Sequence, residues 1–259
     1  MNLIGFLIFG DKGRAGMQKS KLMDSRTWVG GILLLWFVAA AGGCGLWGKK
    51  EQEVTPQTAY NDAMRLLEKK KYTEAAEAFR KFKEDYPLST YTPLAEIRTA
   101  DALYFEDNYA EAIVLYEEFK KLHPVHPEVP HAFYYVGMCY FKQMLTIDRD
   151  QTVTEKALEQ FRYLIENFPQ SKYTPDAKAK MEVCLRRLAD HEYYIGYFYY
   201  RMGNYRGALG RFEGILAKYP DSGLERKVKS LIETCQEKIA KEEKKLKEKE
   251  EKEKKKKKS

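Results

Sequence analysis

Apolar residues recur every three or four positions through most of residues 58–240, which is the periodicity of amphipathic helices. One pattern occurs four times in this region: an alanine, an aromatic residue four positions later, a bulky apolar residue three further on, and a proline five beyond that. The copies are Ala75, Phe79, Phe82, Pro87; Ala112, Tyr116, Phe119, Pro124; Ala157, Phe161, Leu164, Pro169; and Ala208, Phe212, Ile215, Pro220. Identical spacing predicts that each copy buries the same face of a helix.

A small residue, followed three positions later by a bulky one, lies upstream of each copy. These pairs are Ala63 and Leu66, Ala100 and Leu103, Gly137 and Tyr140, and Gly196 and Tyr199. The combined pattern resembles the tetratricopeptide repeat, in which small residues let two helices approach and a proline ends the second helix. We therefore predict an all-α tetratricopeptide-repeat solenoid of about ten helices, or five helix pairs, over residues 58–240.

Successive copies are 37, 45 and 51 residues apart, so the repeat is not uniform. The extra residues predict a longer linker at 87–93, an insertion between the helices of the third pair around 145–151, and an additional helix at about 173–190. A last helix at about 224–240 is predicted to cap the solenoid, because solenoid ends need a polar outer face.

The net charge of +7 lies at the two ends of the chain: residues 241–259 carry +5 and residues 1–43 carry +3, which leaves about −1 for the body. A near-neutral body argues against nucleic acid as a partner, since phosphate binding needs clustered Lys and Arg. The Lys/Glu-rich segment 241–259 is expected to be either disordered or a single exposed helix. It is either a solvated tail or a basic arm that touches anionic lipid or polymer.

The N-terminal region has the layout of a secretory signal. Lys19, Lys21 and Arg26 precede an uncharged run that begins at Trp28, tapers into small residues at 39–43 and meets Cys44. This resembles a bacterial lipobox, which implies a signal peptide at 1–43, with Met17 or Met23 as possible true starts. It also implies a diacylglycerol and an N-acyl chain on Cys44, and no other cofactor is expected. Residues 44–57 then form the lipidated N-terminus and a short tether.

Two other interpretations of Cys44 stay open. Ala41 stands where a lipobox usually has Leu, and residues 28–48 are 21 uncharged residues, long enough for an uncleaved transmembrane helix. A buried structural cysteine is the third possibility. Gly45 follows the cysteine where inner-membrane lipoproteins usually have Asp, which favours the periplasmic face of the outer membrane.

Residues typical of catalysis or metal binding lack the spacing that those sites need. His123 and His126 lie in a proline-rich linker with His131 nearby, and no Cys or carboxylate pair completes a metal site. His191 has no nucleophile motif around it. Cys139, Cys184 and Cys235 lie on apolar helical stripes and are predicted to be buried thiols, with at most one disulfide possible. We therefore expect no enzyme activity and no metal.

In tetratricopeptide arrays the first helices of the pairs line a concave groove, and the repeat phase predicts which residues face it. For the first three units these are Tyr60, Met64, Ile97, Asp101, Tyr104, Phe105, Tyr134, Met138 and Phe141. Tyr193, Tyr197 and Tyr200 occupy the corresponding positions of the fourth unit. A groove with so many rings suits an extended peptide that has aromatic side chains.

Three segments resemble the BamD (YfiO/ComL) family of outer-membrane β-barrel assembly lipoproteins, from Cys44 to about Lys241. They are Tyr86-Pro87-Leu88-Ser89, His123-Pro124-Val125-His126-Pro127 with Asp148-Arg149-Asp150, and Gly210-Arg211-Phe212-Glu213-Gly214. The resemblance implies that the N-terminal repeats receive the C-terminal targeting strand of unfolded outer-membrane proteins. It also implies that the C-terminal repeats, with Arg211, Tyr197 and Tyr200, dock the POTRA domain of a BamA-like barrel protein alongside other Bam lipoproteins. The alternative is another periplasmic tetratricopeptide scaffold, which serves envelope division or secretion. An inner-membrane-anchored enzyme accessory would require the uncleaved span.

Overall fold

The computed structural model describes residues 55–257, and this range contains nine α-helices and no β-strand. They are α1 (Pro56–Glu68), α2 (Tyr72–Asp85), α3 (Thr92–Phe105), α4 (Tyr109–Leu122), α5 (Val129–Lys142), α6 (Thr152–Asn167), α7 (Thr174–Arg201), α8 (Tyr205–Lys218) and α9 (Glu225–Lys256). No helix in this part of the chain combines the length and the apolarity that a bilayer span requires.

Helices that follow one another in sequence pack against each other along the whole series, which gives the pairs α1/α2, α3/α4, α5/α6 and α7/α8 with α9 on α8. The first helices of neighbouring pairs also touch, α3 with α5 and α5 with α7. This arrangement confirms the predicted all-α tetratricopeptide-like solenoid. It also places the first helices side by side on one face, which we call the inner face.

The repeated positions form the core, as the sequence predicts. In all four copies the alanine, the aromatic residue and the apolar residue are at most 2% exposed. Buried residues gather in three clusters: one in the first pair, a large one in the second and third pairs with the first half of α7, and one in the fourth pair with α9. Each pair therefore completes its core with its neighbour, as expected for a solenoid.

The small residues of the repeat permit close helix packing. A Cβ atom on Gly137 would lie 2.6 Å from the Phe161 ring, and one on Gly196 would lie 2.8 Å from the Phe212 ring. Since real Cβ atoms do not approach rings so closely, the aromatic residue of α6 or α8 packs directly on the backbone of the preceding helix. The interpretation of these glycines as spacers between paired helices is confirmed.

The described residues contain nine helices where about ten were predicted. The additional helix at 173–190 and the first helix of the fourth pair are one continuous helix, α7, of 28 residues. Neither Gly nor Pro occurs between Ala189 and Tyr193, so nothing forces the chain to leave the helical conformation there. The described residues thus contain four pairs and a capping helix rather than five pairs.

The insertion predicted in the third pair is present between α5 and α6. The Gln151 side-chain amide donates hydrogen bonds to the carbonyls of Thr146 and Arg149, which close the loop on itself. Arg187 Nη1 donates to the Leu145 carbonyl at 2.6 Å, and His191 Nδ1 lies 2.6 Å from the Ile147 carbonyl oxygen. The loop is therefore held against α7.

The last helix continues far beyond the predicted end at residue 240, because α9 extends to Lys256. Glu side chains precede Lys by four positions at Glu248 and Lys252 and at Glu250 and Lys254, a spacing that supports an exposed helix by about 0.2–0.5 kcal/mol per pair. The tail is thus a helix that extends the cap. Cys44, the signal segment 1–43 and most of the tether 44–57 lie outside the described residues.

Candidate functional site

The inner face presents the residues that the repeat phase assigned to a groove, but it divides them into two groups. Ile97 has no exposed surface, and its place among groove-lining residues is a correction: it packs into the core of the second and third pairs. Asp101, Tyr104 and Met138 are at most 9% exposed, so they form the floor of the inner face rather than its surface. Tertiary packing between neighbouring first helices covers these four side chains.

Five residues of the predicted set keep appreciable solvent-accessible surface, and they are four aromatic residues and one methionine. Phe105 is 44% exposed, and the remaining four, Tyr60, Met64, Tyr134 and Phe141, are half-buried. These side chains come from α1, α3 and α5, so they lie along the inner face across three units.

The rings of the inner face contact one another across helices. Tyr104 of α3 meets Tyr135 of α5 edge-on, with centroids 4.9 Å apart, and Tyr134 stacks on Tyr173 at 4.8 Å. Phe105 stacks on Tyr72 of α2 at 5.5 Å. Tyr135 and Tyr173 were not predicted, although their position beside Tyr134 and before the helix-starting Thr174-Pro175 could have indicated them. The result is a continuous aromatic surface from α2 to the start of α7.

A buried polar network lies beneath these rings and is centred on Asp101. Its Oδ1 accepts a hydrogen bond from the Tyr116 hydroxyl and lies 2.6 Å from His131 Nε2, while Oδ2 pairs with Arg98. Arg98 also pairs with Glu128 at 3.1 Å. The network therefore joins α3, α4 and α5.

The network also reaches α7 and α1. His131 Nδ1 lies 2.6 Å from the Tyr173 hydroxyl at the start of α7. On the other side, the hydroxyl of Tyr60 in α1 hydrogen-bonds Arg98. A single cluster thus connects helices from all four pairs of the solenoid. Sequence reasoning missed Arg98 and His131, and the one available signal was a charged Arg98-x-x-Asp101 pair inside an alanine-rich helix.

The surroundings of the network favour an ionised Asp101 carboxylate at its centre and protonated hydroxyls on Tyr104, Tyr116 and Tyr135. Burial alone would raise the pKa of Asp101, but the hydrogen bond and charge of His131, together with Arg98 and Tyr116, hold that pKa below its usual value. Burial, followed by the charge of Asp101, raises the pKa of Tyr116 well above its usual value. Burial raises the pKa of Tyr104 and of Tyr135 to about 12. At neutral pH the inner face therefore offers neutral rings above a floor in which Asp101 is ionised.

Every buried side-chain nitrogen or oxygen in residues 55–257 has a hydrogen-bond partner. Within the same range, no group of three or more His, Cys, Asp or Glu side chains is placed to hold a metal ion. His123 lies 2.7 Å from Glu96, and His126 accepts a hydrogen bond from the Glu128 backbone, as expected of structural histidines. Cys139, Cys184 and Cys235 are buried free thiols, as predicted.

The residues predicted to dock a partner lie on α7 and α8. Arg211 Nη1 contacts both carboxylate oxygens of Glu192, at 2.8 and 3.1 Å, and its side chain keeps 41% of its surface exposed. The hydrogen bond to Glu192 raises the pKa of Arg211. Arg211 is therefore held in place by its own chain, with part of its guanidinium open to solvent.

Tyr197 and Tyr200 belong to a stack of rings on α7. Tyr193 and Tyr197 are 5.8 Å apart and nearly parallel, and Tyr197 and Tyr200 are 6.1 Å apart. Lys227 of α9 lies over the Tyr193 ring at 4.3 Å. Tyr193, Tyr197 and Lys227 border an open groove of about 1000 Å³ between α7 and α9.

A second side of α7 carries an apolar stripe that sequence reasoning missed. Tyr194, Phe198 and Met202 recur every four residues and are 48%, 56% and 70% exposed. Their spacing of four residues could have indicated that they lie on one face of the helix. Contiguous exposed apolar side chains of this size mark protein contact sites.

Comparisons with known proteins agree on one family. The family model YfiO, described as outer membrane lipoprotein, matches residues 52–256. The outer membrane protein assembly factor BamD of Rickettsia prowazekii is 32% identical over 204 residues, which cover 78% of this chain and 78% of that protein. BamD of Caulobacter vibrioides is 31% identical over 185 residues, which cover 70% of this chain and 61% of that protein. Among solved structures, a thermophilic TPR protein of Thermus thermophilus is similar with a TM-score of 0.39 at 16% identity, over 69% of this chain and 99% of that one.

Proposed function

Because the chain belongs to the YfiO family of outer membrane lipoproteins, we propose that it is a non-enzymatic subunit of the machinery that assembles outer-membrane proteins. Its inner face binds the C-terminal targeting strand of an unfolded barrel protein, and its C-terminal pair docks the POTRA domain of a BamA-like partner. The observation that carries the first part is the aromatic surface from Tyr72 to Tyr173, whose rings are neutral and partly open.

Rings of this kind suit a strand that ends in an aromatic residue. Phe105 and Tyr134 provide contact area with few rotatable bonds, so their ordering on binding costs little entropy. The Tyr134 hydroxyl is fixed by a 2.6 Å hydrogen bond to Asp176, which orients the ring before a ligand arrives. The saturated network below keeps the floor rigid, since Asp101, Arg98 and His131 already have partners within the chain.

Replacing Tyr134 with alanine is expected to weaken binding of a peptide that ends in phenylalanine by about 1–2 kcal/mol, or roughly five- to thirtyfold in Kd. Fluorescence anisotropy with a labelled peptide measures the change. Tyr163→Ala is the control, because Tyr163 of α6 is a tyrosine that is 44% exposed but lies on the second helix of its pair. Equal losses in the two variants would contradict the inner face as the peptide site.

Crosslinking in cells identifies the client itself. Phe105 and Tyr134 are suitable positions for a photoreactive side chain, whereas Tyr104 is too buried for this purpose. Barrel precursors should be trapped from both positions. Adducts only with proteins of envelope division or secretion would favour the alternative scaffold function instead.

Reversing the charge of Arg211 is expected to lower the affinity for a purified POTRA-bearing partner at least about tenfold. Losses of this size are usual when a charged residue that pairs across an interface is changed. Arg211→Glu also faces Glu192, so unfolding curves must show that α8 stays folded. Arg206→Glu is the control, since Arg206 lies on the same helix and pairs with Glu243 on a different side. An unchanged affinity for Arg211→Glu would exclude Arg211 from the contact.

The proposal includes acylation of Cys44 as the membrane anchor on the periplasmic face of the outer membrane. The support is the small-residue run before Cys44 and the family's description as lipoproteins. Mass spectrometry of the mature N-terminus should find Cys44 as the first residue, carrying three acyl chains. A peptide that still contains residues 28–43 would favour the uncleaved span.

A further inference from the structure

Lysines lie along one side of α9 for most of its length. With 3.6 residues per turn, seven of them fall within a sector of about 80° on the helix circumference, and no acidic residue of α9 falls inside it. The seven are Lys227, Lys238, Lys241, Lys245, Lys249, Lys252 and Lys256. All are exposed, and we call them the lysine stripe. At 1.5 Å per residue the stripe is about 44 Å long.

The orientation of the stripe is fixed by the other sides of α9. Val228 and Cys235 are fully buried against the fourth pair, and their line lies about 90° from the stripe. Glu250 and Glu253 continue that buried line beyond the core, and Glu243 binds Arg206 of α8. The ion pair and the core therefore fix the rotation of α9, so that the lysine stripe is exposed, with Lys227 also lying over the Tyr193 ring. Glu242 and Glu248 are the nearest acidic residues, about 20° beyond its two edges.

The chemistry of the stripe favours a lipid surface over a protein partner. Protein interfaces are depleted in lysine and have an apolar centre, whereas the exposed stretch from Lys241 to Lys256 holds a single apolar residue, Leu246, about 100° from the centre of the stripe. Lysine ammonium groups are strongly hydrated point charges, which suit diffuse attraction to phosphate headgroups. The family's membrane location places such headgroups within reach.

We propose that the lysine stripe of α9 docks on anionic phospholipid headgroups and so provides a second, purely electrostatic contact between the solenoid and a membrane surface. From Lys241 to Lys256 the helix has no apolar side to insert, so the contact is reversible and sensitive to salt. The proposal uses only the family's membrane location. It does not depend on the peptide site, and the lysines from Lys241 to Lys256 lie outside the groove that Lys227 borders with Tyr193 and Tyr197.

The test uses the full-length protein, purified from membranes and reconstituted into vesicles of phosphatidylcholine with or without phosphatidylglycerol. A donor fluorophore on Ser259→Cys reports energy transfer to an acceptor in the headgroups, and the native Cys139, Cys184 and Cys235 are buried and do not compete for label. Transfer is expected to be high only with phosphatidylglycerol. It should be lost at about 1 M salt, where the Debye length is about 3 Å.

Two sets of substitutions separate the stripe from total charge. Each lysine near an anionic surface contributes about fivefold, so removing four from the stripe should lower the ratio of docked to free tails at least about tenfold. The stripe variant carries Lys245→Gln, Lys249→Gln, Lys252→Gln and Lys256→Gln. The control carries Lys244→Gln, Lys247→Gln, Lys254→Gln and Lys257→Gln, which removes the same charge at least about 60° outside the stripe. Glutamine has a helix propensity like that of lysine, so α9 should stay helical in both variants. Circular dichroism of each variant checks its helical content.

The control variant is expected to keep most of the transfer. Equal losses in both variants would overturn the stripe as the contact, and so would transfer that does not depend on phosphatidylglycerol. Capture of an acidic protein or of RNA by the tail, without lipid dependence, would overturn the proposal in favour of that partner. Peptide affinity should be the same in the stripe variant and the unmodified protein, which separates this test from that of the proposed function.

Discussion

Asp101→Ala is expected to destabilise the solenoid by about 3–5 kcal/mol, the range typical of removing one partner from a buried ion pair. The side chain is 4% exposed and bonds to Arg98, Tyr116 and His131, so its loss leaves the buried Tyr116 and His131 and the half-buried Arg98 without this acceptor. Urea unfolding followed by circular dichroism measures the change.

Asp85→Ala is the matched control, because Asp85 is exposed in the last turn of α2 and its loss should change stability by at most about 0.5 kcal/mol. A double-mutant cycle with His131→Ala tests the network directly. If Asp101 and His131 act together, the double variant loses less than the sum of the two single losses. Additive losses, or a stable Asp101→Ala protein, would contradict the network as the element that joins the first helices.

The lowered pKa of Asp101 also sets the direction of an acid effect. A carboxyl group whose pKa is lower in the folded state stabilises the fold fully above its unfolded pKa of about 4. That stability is lost as the pH falls from there through the lowered folded pKa. The unmodified protein should therefore lose stability below about pH 4 more steeply than Asp101→Asn, whose side chain does not ionise.

Phe212→Ala is expected to cost about 3–5 kcal/mol of local stability, the usual effect of removing a fully buried phenylalanine. The ring packs on the backbone at Gly196 and contacts the ring of Tyr193 at 5.9 Å. In a solenoid each pair is stabilised mainly by its neighbours, so the loss should stay local. Hydrogen exchange should accelerate in α8, α9 and the second half of α7, while α1 to α4 keep their protection.

Phe198→Ala gives the comparison within the same pair. Phe198 of α7 is 56% exposed, so its removal should change stability by no more than about 0.5 kcal/mol. Its position in the apolar stripe with Tyr194 and Met202 instead predicts weaker binding of the POTRA-bearing partner that we propose docks on the C-terminal pair. If Phe198→Ala destabilises the protein as much as Phe212→Ala does, the apolar stripe of α7 belongs to the core and not to a docking surface.

The repeat phase predicted the fold and its core from sequence because both depend on local periodicity. An alanine, an aromatic ring and an apolar residue at fixed spacing lie on one helix face, and that face must be buried whatever the neighbouring pairs do. The same reasoning located the insertion between α5 and α6 and identified Gly137 and Gly196 as spacers. It failed at the join inside α7, because a spacing of repeats does not reveal whether two helices are separate or continuous.

The composition of the inner face was decided by tertiary structure. The repeat phase predicted that Ile97, Asp101 and Tyr134 face the same side. Only the packing of α3 against α5 determines that Ile97 and Asp101 are covered while Tyr134 stays partly exposed. The partners of Asp101 come from positions 15 and 30 residues away, Tyr116 and His131, and no local pattern encodes such a meeting. Periodicity fixes which way a side chain points along its own helix. The neighbouring helices then decide whether it meets solvent, an aromatic ring or a buried charge.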